Sequence, residues 1–341
     1  MGNCSPFLKR MKLLIVAHRI CSRTFKQLVA LHSKGIELHI ITHTVPKPDI
    51  FKTISYYNDV TGLRNSLALY KNIDLVQVVS EPSWVVITCR EVLDKKIILD
   101  LHDAQIWRSD KPEDSSTEER LVFNWVDGFI VPSQTCKQLL QTNKPCIVLP
   151  PYHLEDHIAY VSWGYVGGVV YEGRVDLPNF KEFMKYSKYE DCCKEFREAG
   201  IPFTIYSPLY TEEHKKVYGE ICMFQPGIEY TQMVKTIGVH DWGLCGNVYK
   251  TREWDLAMPN KLFDYLAAGL PVIALNAKTV GRFVEKHKIG ISVKSIQEIK
   301  DRWDEREECQ RNVMLKRNNF TMEKHIEPVI KFYKGVLQGP R

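Results

Sequence analysis

The chain of 341 residues carries a formal charge of +5 and is 44% hydrophobic and 26% charged. This balance excludes an intrinsically disordered protein, and no apolar run approaches the ~20 residues that a membrane-spanning helix needs. Since a single hydrophobic core seldom grows beyond roughly 250–300 residues, the length predicts two domains.

The first half of the sequence alternates short apolar runs with amphipathic stretches from Met11 onward, which is typical of a parallel sheet wrapped by helices. A strand over 12–17 precedes a helix over 22–33, with Ser22 as its N-cap and Gly35 beyond its end. The other elements predicted here are strands over 37–42, 75–79, 96–101, 128–131 and 146–149, and a helix over 134–141. Together they predict a Rossmann-like domain, residues 1–153.

A second cycle of the same kind follows Pro150 and Pro151, where we place the domain boundary. The predicted strands are 169–171, 203–206, 222–224, 242–244 and 271–275, and the predicted helices are 180–199, 211–218, 230–236 and 261–268. Residues 154–322 are therefore predicted to form a second Rossmann-like domain, and a helix over 323–338 to pack back on the first. Ligands bind outside the carboxyl ends of parallel strands, so we expect the site in a cleft between the domains.

The segment from Pro259 to Ala274 carries the strongest functional signal. A proline before a helix directs free backbone N–H groups and the positive end of the helix dipole toward a ligand, and Lys261 in the first turn can reach phosphate oxygens. Asp264 lies on the same face one turn later, where it can accept hydrogen bonds from ribose hydroxyls. On the residues alone, a helix with a Lys–Asp surface pair remains the alternative.

A second signal is the strand at residues 169–171, which leads into Gly173 and Arg174. The glycine lets the backbone approach a ligand, and the arginine presents a guanidinium fork to a diphosphate. A surface arginine after a turn glycine is the alternative. With Lys261, Arg174 would supply the positive charge that many enzymes obtain from magnesium. No Asp-x-Asp motif follows a strand, so we expect no metal.

Two further groups of polar residues follow predicted strands of the first domain. His102 and Asp103 follow the strand 96–101 and are the candidate catalytic residues: the histidine can bind a sugar hydroxyl, and the aspartate can orient it or act as a base. A histidine that caps the sheet is the alternative. His18 and Arg19 follow the first strand and form a candidate acceptor-side surface, bulky and basic, unless they are solvated loop residues.

These motifs resemble the retaining glycosyltransferases of family four, which have the GT-B fold of two Rossmann-like domains facing a cleft. The pattern of that family's donor-binding helix, Pro-x-Lys-Leu-[Phe/Leu]-[Glu/Asp]-Tyr-[Leu/Met]-Ala-x-Gly-x-Pro-Val-Ile, is matched from Pro259 without a gap. The resemblance implies that Asp264 holds the nucleotide ribose, Arg174 the donor diphosphate, and His102 the donor sugar. The remaining donor-binding candidates are Gly173, Lys261, Asn260, Glu253 and Ile228.

The sequence departs from the family pattern at two places. The family usually carries a second acid eight positions before its ribose-binding residue, where this chain has Leu256, and the nearby Glu253 and Asp255 lack that spacing. Many members also have a Gly-Gly pair after the first strand, where this chain has His18 and Arg19. The contact with the sugar is therefore left open, although retention of configuration is the family expectation.

We therefore predict a metal-independent hexosyl- or pentosyltransferase that moves a sugar from a UDP- or GDP-sugar to an acceptor hydroxyl, with no cofactor besides this co-substrate. An acceptor glycan or glycolipid in polysaccharide or glycolipid synthesis is expected. The alternatives are a hydroxylated base in modified DNA, which the excess of nineteen basic over fifteen acidic residues in 1–150 permits, and a non-catalytic sugar-nucleotide-binding protein.

Two other enzyme classes use similar domains. A dehydrogenase is excluded because no G-x-G-x-x-G joins a strand to a helix, whereas a nucleotide-sugar epimerase shares the architecture and remains open. Ten cysteines without C-x-x-C spacing and without a signal peptide predict reduced thiols and a cytoplasmic protein, with peripheral membrane contact as an option for a lipid-linked acceptor.

Overall fold

A computed structural model describes residues 10–45, 49–79, 84–102, 104–108, 117–159, 164–180 and 185–339. The chain divides into two compact units, residues 1–149 with 325–341 and residues 150–324. Within the described ranges, one unit holds a seven-stranded sheet and the other a six-stranded sheet, and all paired strands are parallel. The predicted fold class, two Rossmann-like parallel-sheet domains, is confirmed.

The first unit is built around a sheet with the order β3-β2-β1-β4-β5-β6-β7. Its strands are β1 (Lys12–Ala17), β2 (Glu37–Thr42), β3 (Phe51–Tyr56), β4 (Leu75–Val79), β5 (Lys96–Asp100), β6 (Gly128–Val131) and β7 (Cys146–Val148). Its helices are α1 (Ser22–Ser33), α2 (Val60–Ala68), α3 (Trp84–Val92), α4 (Gln105–Arg108), α5 (Thr117–Trp125) and α6 (Gln134–Leu140). The strand order reverses between β1 and β4, the point where such sheets bind ligands.

The second unit repeats this arrangement with the strand order β10-β9-β8-β11-β12-β13. Its strands are β8 (Val169–Glu172), β9 (Phe203–Ser207), β10 (Met223–Pro226), β11 (Trp242–Gly246), β12 (Val272–Leu275) and β13 (Gly290–Val293). Its helices are α7 (Glu190–Glu198), α8 (Glu212–Tyr218), α9 (Tyr230–Ile237), α10 (Arg252–Leu256), α11 (Asn260–Ala268), α12 (Lys278–His287), α13 (Ile296–Asp301) and α14 (Arg306–Lys316). Here the order reverses between β8 and β11.

A long helix, α15 (Met322–Gln338), begins in the second unit and continues into the first. Within the first unit the hydroxyl of Tyr333 donates a hydrogen bond to Gln77 on β4 and accepts one from Gln27 on α1. All three side chains are buried, so this network fixes the end of the helix by specific polar contacts as well as by apolar packing. No helix among the described residues is long and apolar enough to cross a membrane.

Three details of the predicted elements differ from the structure. Ser22 is the first residue of α1, and Cys21 occupies the N-cap position with no side-chain capping bond. The helix predicted over 180–199 is interrupted in its described part: Lys185–Ser187 form a 3-10 helix, Asp176 pairs with residues 187 and 188, and α7 begins at Glu190. The elements β3, β13, α2 to α5, α10 and α12 to α14 were not predicted.

Candidate functional site

The two strongest signals of the second unit meet where β8 ends and α11 begins. Gly173 follows β8 with a φ of +137°, and a Cβ added there would lie 3.4 Å from the Nζ of Lys261 and 3.3 Å from the hydroxyl of Tyr171. The backbone N–H of Gly173 also donates to the carbonyl of Tyr206 on β9. The positive φ is what favours glycine here, since a Cβ would meet the lysine only at ordinary van der Waals distance.

Lys261 lies between two aromatic rings. Its Nζ is 4.8 Å from the centre of the Tyr171 ring and 5.4 Å from the Trp254 ring, and it forms no ion pair with the residues that the structure describes. Burial would lower the pKa of this lysine, but the Tyr171 hydroxyl and the Glu172 carboxylate raise it above its ordinary value. The result is a protonated lysine held against ring faces, with Glu172 acting on it at longer range and no ion pair among the described residues, which suits an anionic ligand.

Arg174 directly follows Gly173, so the second predicted cation stands at the same strand end. Its Nε donates to Oδ1 of the buried Asp176 at 2.8 Å, and its guanidinium lies 5.4 Å from the centre of the Phe180 ring. This hydrogen bond raises the pKa of the arginine and fixes its direction. The side chain nevertheless stays half-exposed, which leaves it accessible to a ligand.

Asp264 is buried rather than part of a surface pair, with 2% of the residue exposed. Its Oδ1 accepts a hydrogen bond of 2.7 Å from the hydroxyl of Tyr230 on α9, and the Tyr230 ring packs edge-on against His157 at 4.8 Å. Burial raises the pKa of Tyr230 well above its ordinary value, and the Asp264 carboxylate adds to the effect. The carboxylate is thus fixed in place before any ligand binds.

The remaining donor-side predictions fall on three elements around α11. Asn260 is the first residue of α11, and its Oδ1 is buried without a hydrogen-bond partner in the part of the chain that the structure describes. Glu253 lies on α10 beside Trp254, the residue whose ring packs on Lys261. Ile228, after β10, is half-buried against the core that α11 helps to form. All three therefore belong to the surroundings of the helix start.

Tyr265 sets the position of α11 against the sheet. Its ring lies over Gly243 on β11, where a Cβ would come within 2.2 Å of the ring. Its hydroxyl accepts a hydrogen bond of 3.1 Å from the N–H of Glu172 and donates one of 3.2 Å to the carbonyl of Leu244. One side chain therefore ties the helix that carries Lys261 to the strand that precedes Gly173.

His102 in the first unit follows β5 and belongs to a chain of buried polar groups. Its Nδ1 is 3.4 Å from the Sγ of Cys21, its Nε2 is 3.2 Å from Oδ1 of Asp100, and that carboxylate accepts a 2.8 Å hydrogen bond from Arg23. Burial and Arg23 would lower the pKa of His102, but Asp100 and Cys21 raise it to about 9. Asp103, the second candidate catalytic residue, lies outside the described residues.

Neither Cys21 nor Asp100 was singled out from the sequence. Both stand near carboxyl ends of strands, Asp100 as the last residue of β5 and Cys21 in the turn between β1 and α1. His102 was selected because ligand-binding residues lie at the carboxyl ends of parallel strands, and the same criterion applies to Cys21 and Asp100. What the sequence did not show was that the three side chains contact one another.

His18 and Arg19 are exposed after β1, which agrees both with a surface that receives a ligand and with solvated loop residues. The His18 ring stacks on His43, which follows β2, with ring centres 4.7 Å apart and planes 9° apart. Partial burial and the positive charges of His43 and Arg19 lower the pKa of His18. Among the described residues, no group of three or more His, Cys, Asp or Glu side chains is arranged to hold a metal ion.

Comparison with known proteins identifies the class of fold. Residues 168–328 match the family model described as glucosyltransferase 3-like, C-terminal domain. No curated protein sequence matches the chain. The structure is similar to HepE from Anabaena, solved in complex with UDP, at a TM-score of 0.65 and 10% identity, covering 94% of this chain and 100% of HepE.

Two other similar structures extend this comparison. AviGT4, a glycosyltransferase involved in avilamycin A biosynthesis, has a TM-score of 0.63 at 11% identity and covers 97% of this chain and 99% of its own. UDP-GlcNAc 2-epimerase from Methanocaldococcus jannaschii has a TM-score of 0.54 at 13% identity, with 95% and 100% covered. At these identities the likeness concerns the fold, which is the GT-B fold of glycosyltransferases.

The GT-B fold that the sequence resemblance implied is thereby confirmed. Membership of family four and retention of configuration stay predictions. The family model lies over the second unit, where Gly173, Arg174, Lys261 and Asp264 are found.

Proposed function

We propose that this protein is a glycosyltransferase that transfers a sugar from a UDP-sugar to an acceptor hydroxyl. The observation that carries the proposal is the ammonium group of Lys261, enclosed by Tyr171 and Trp254 and beside Gly173, the residue that precedes Arg174. The glucosyltransferase 3-like family model over this unit supports sugar transfer, and the UDP bound by HepE supports the choice of nucleotide.

In this proposal the donor diphosphate lies against the start of α11. Lys261 and Arg174 are the two cations for its oxygens, and the free N–H groups at the start of this nine-residue helix add a partial positive charge. Negative charge grows on the departing nucleoside diphosphate as the glycosidic bond breaks. Cations fixed in place before the reaction stabilise that charge, so the proposed reaction does not depend on a metal ion.

Asp264 is the proposed acceptor of hydrogen bonds from the ribose hydroxyls. Tyr230 holds one of its oxygens, so the carboxylate does not have to be reoriented when a nucleotide binds. Asn260 is a second candidate because its buried amide oxygen has no partner in the described part of the chain and can accept a hydroxyl proton. Both residues lie on α11, and Ile228 is proposed beside the base.

The first unit is proposed to supply the acceptor side. His102 is the candidate for the contact with the transferred sugar, and Asp100 and Arg23 hold its ring. The exposed His18 and Arg19 are candidates for binding an acceptor glycan or glycolipid.

Nucleotide binding tests the donor site directly. The melting temperature is measured with UDP, GDP, ADP and CDP, and UDP is expected to raise it most, since a ligand of the folded state stabilises that state. Lys261→Ala is expected to weaken UDP binding about tenfold or more, because a hydrogen bond to a charged group contributes about 1.5–3 kcal/mol. Lys278→Ala is the matched control, an exposed lysine that also begins a helix of this unit. Equal UDP affinity in wild type and Lys261→Ala would contradict the proposal.

An epimerase is the second candidate function, because the M. jannaschii epimerase has a similar fold. The products of the reaction distinguish a transferase from an epimerase. A panel of UDP-sugars is incubated with and without hydroxyl acceptors, and both free UDP and the configuration of the remaining UDP-sugar are followed. UDP release that requires the acceptor supports the transferase. A changed configuration of the UDP-sugar without acceptor supports the epimerase instead.

A further inference from the structure

Cys21 faces His102 at the beginning of α1. The Sγ of Cys21 is 3.4 Å from Nδ1 of His102 and 3.3 Å from the hydroxyl oxygen of Thr24. Cys21 is the N-cap residue of this twelve-residue helix, where the helix dipole favours negative charge. The cysteine is half-buried, so part of it is open to solvent.

The imidazole is held from its other side by a buried ion pair. Nε2 of His102 lies 3.2 Å from Oδ1 of Asp100, and Arg23 donates to the same oxygen at 2.8 Å. The amide of Gln77 donates to Oδ2 at 3.2 Å, and Tyr333 hydrogen-bonds Gln77 in turn. Thiol, imidazole and carboxylate thus form a fixed series of the kind that keeps a cysteine nucleophilic.

The charges around this series favour a thiolate beside an imidazolium. Burial alone would raise the pKa of Cys21, but the charge of His102 and the hydrogen bonds from His102 and Thr24 lower it to about 6. Arg23 and Thr24 on α1 and Asp100 on β5 act on the pair directly. Gln77 on β4 contacts Asp100, and Tyr333 on α15 contacts Gln77. Low-pKa thiols with partial exposure, next to a protonated histidine and at a helix start, are the reactive ones.

We propose that Cys21 is a nucleophilic thiolate and a modification site for thiol–disulfide exchange with small aliphatic disulfides. The thiolate attacks one sulfur of the disulfide, a new S–S bond forms at Sγ, and the other half leaves as a thiolate that takes a proton from water. The cysteine is oxidised and the incoming disulfide is reduced, so no further reagent is required. His102 and Asp100 are positioning residues for this reaction.

Other cysteines of the same unit lack this environment. Cys89 is fully buried, and burial raises its pKa. Cys146 on β7 is half-buried like Cys21, but burial raises its pKa to about 11 despite the nearby Lys137. Cys146 is therefore the internal control for any reagent that reaches Cys21 by exposure alone.

The proposal is tested first by the rate of alkylation. The folded wild-type protein is treated with iodoacetamide between pH 5 and pH 10, roughly the range over which thiols ionise, and labelling of each cysteine is followed by peptide mass spectrometry. The rate at Cys21 is expected to reach half of its maximum near pH 6, while the rate at Cys146 is still rising at the highest pH. A midpoint above about pH 8, the range of an ordinary thiol, or no labelling of Cys21 in the folded protein would overturn the proposal.

Variants and a true disulfide provide the second test. His102→Gln is expected to move the midpoint at Cys21 upward by about two pH units, toward an unperturbed thiol. If that variant does not fold, the pH dependence of alkylation at Cys21 in the wild type decides whether the proposal stands. Oxidised glutathione at pH 7 is then expected to add one glutathionyl group at Cys21, reversed by dithiothreitol and absent from Cys21→Ser. Modification at Cys146 instead, or none at all, contradicts the proposal, and neither readout depends on sugar transfer.

Discussion

The hydroxyl of Tyr265 accepts a hydrogen bond of 3.1 Å from the backbone N–H of Glu172. It also donates to the carbonyl of Leu244, so α11 is joined to β8 and β11 through one oxygen atom. The start of α11 and the end of β8 carry Lys261 and Gly173, and their spacing depends on this contact. The proposed diphosphate site is therefore supported by a residue that need not touch the ligand.

Tyr265→Phe tests that support. The ring still fits over Gly243, but two buried backbone groups lose their partner, which costs about 1–3 kcal/mol in free energy of unfolding. UDP affinity is expected to fall as well, because the relative position of Lys261 and Gly173 is less fixed. Tyr210→Phe is the control, since its ring stacks on Phe224 and is partly exposed, and a change within about 0.5 kcal/mol is expected. Urea unfolding and UDP titration of both variants provide the comparison.

Gly173→Ala tests the space around Lys261. The φ of +137° disfavours any residue with a Cβ, and the added methyl group would lie 3.4 Å from the ammonium. We expect both a loss of stability of about 1 kcal/mol or more and weaker UDP binding. Gly200→Ala separates the two effects, because Gly200 also has a positive φ but no atom lies within 4 Å of its added Cβ. Full UDP affinity in Gly173→Ala would show that the backbone conformation at Gly173 is not needed for nucleotide binding.

Arg23→Met tests the ion pair between Arg23 and Asp100, next to His102. The side chains of Arg23 and Asp100 are 4% and 0% exposed, so removing the arginine takes away one of the two cationic groups beside a buried carboxylate, the other being His102. Since His102 still faces the carboxylate at 3.2 Å, the expected loss in free energy of unfolding lies toward the lower end of the range of about 3–5 kcal/mol for breaking a buried ion pair. The matched control is Arg64→Met, which removes the ion pair with Glu91 at a site where both side chains are about half exposed, and about 1 kcal/mol or less is expected. Similar losses in the two variants would contradict this account.

Much of the fold was predictable because its signals are local. Strands buried on both faces appear as continuous apolar runs, as in β1 and β12, and their alternation with helices indicates parallel sheets. The proximity of Gly173 and Lys261 was also predictable from the sequence, since Gly173 follows a strand and Lys261 begins a helix at the ligand-binding edge of one sheet.

The parts that were missed depend on contacts between distant segments. The pairing of Asp176 with residues 187 and 188 interrupts the helix predicted over 180–199, between a short 3-10 helix and α7. Cys21 and Asp100 are far apart in the chain, and their common contact, His102, exists only once β1 and β5 lie in one sheet. Neither propensity nor spacing contains that information.

Cys21→Ser tests the coupling between the thiol and His102. Without the thiolate one of the groups that raise the pKa of His102 is lost, so its imidazole is expected to titrate below the value of about 9 in the wild type. Because the folded pKa is raised above the ordinary 6.5, protonation of His102 stabilises the folded state fully below about pH 6.5, and this stabilisation is lost as the pH rises through 9. In Cys21→Ser the loss is therefore expected at lower pH.

The measurement is a pH titration of labelled histidine side chains by nuclear magnetic resonance, together with urea unfolding between pH 6.5 and pH 9, the ordinary and raised pKa values of His102. Cys222→Ser is the control, since Cys222 is half-buried like Cys21 but belongs to the second unit. It is expected to leave the His102 midpoint unchanged. An unchanged midpoint in Cys21→Ser would show that Asp100 alone sets the charge of this histidine, and that the sulfur 3.4 Å from Nδ1 is not ionised in the folded protein.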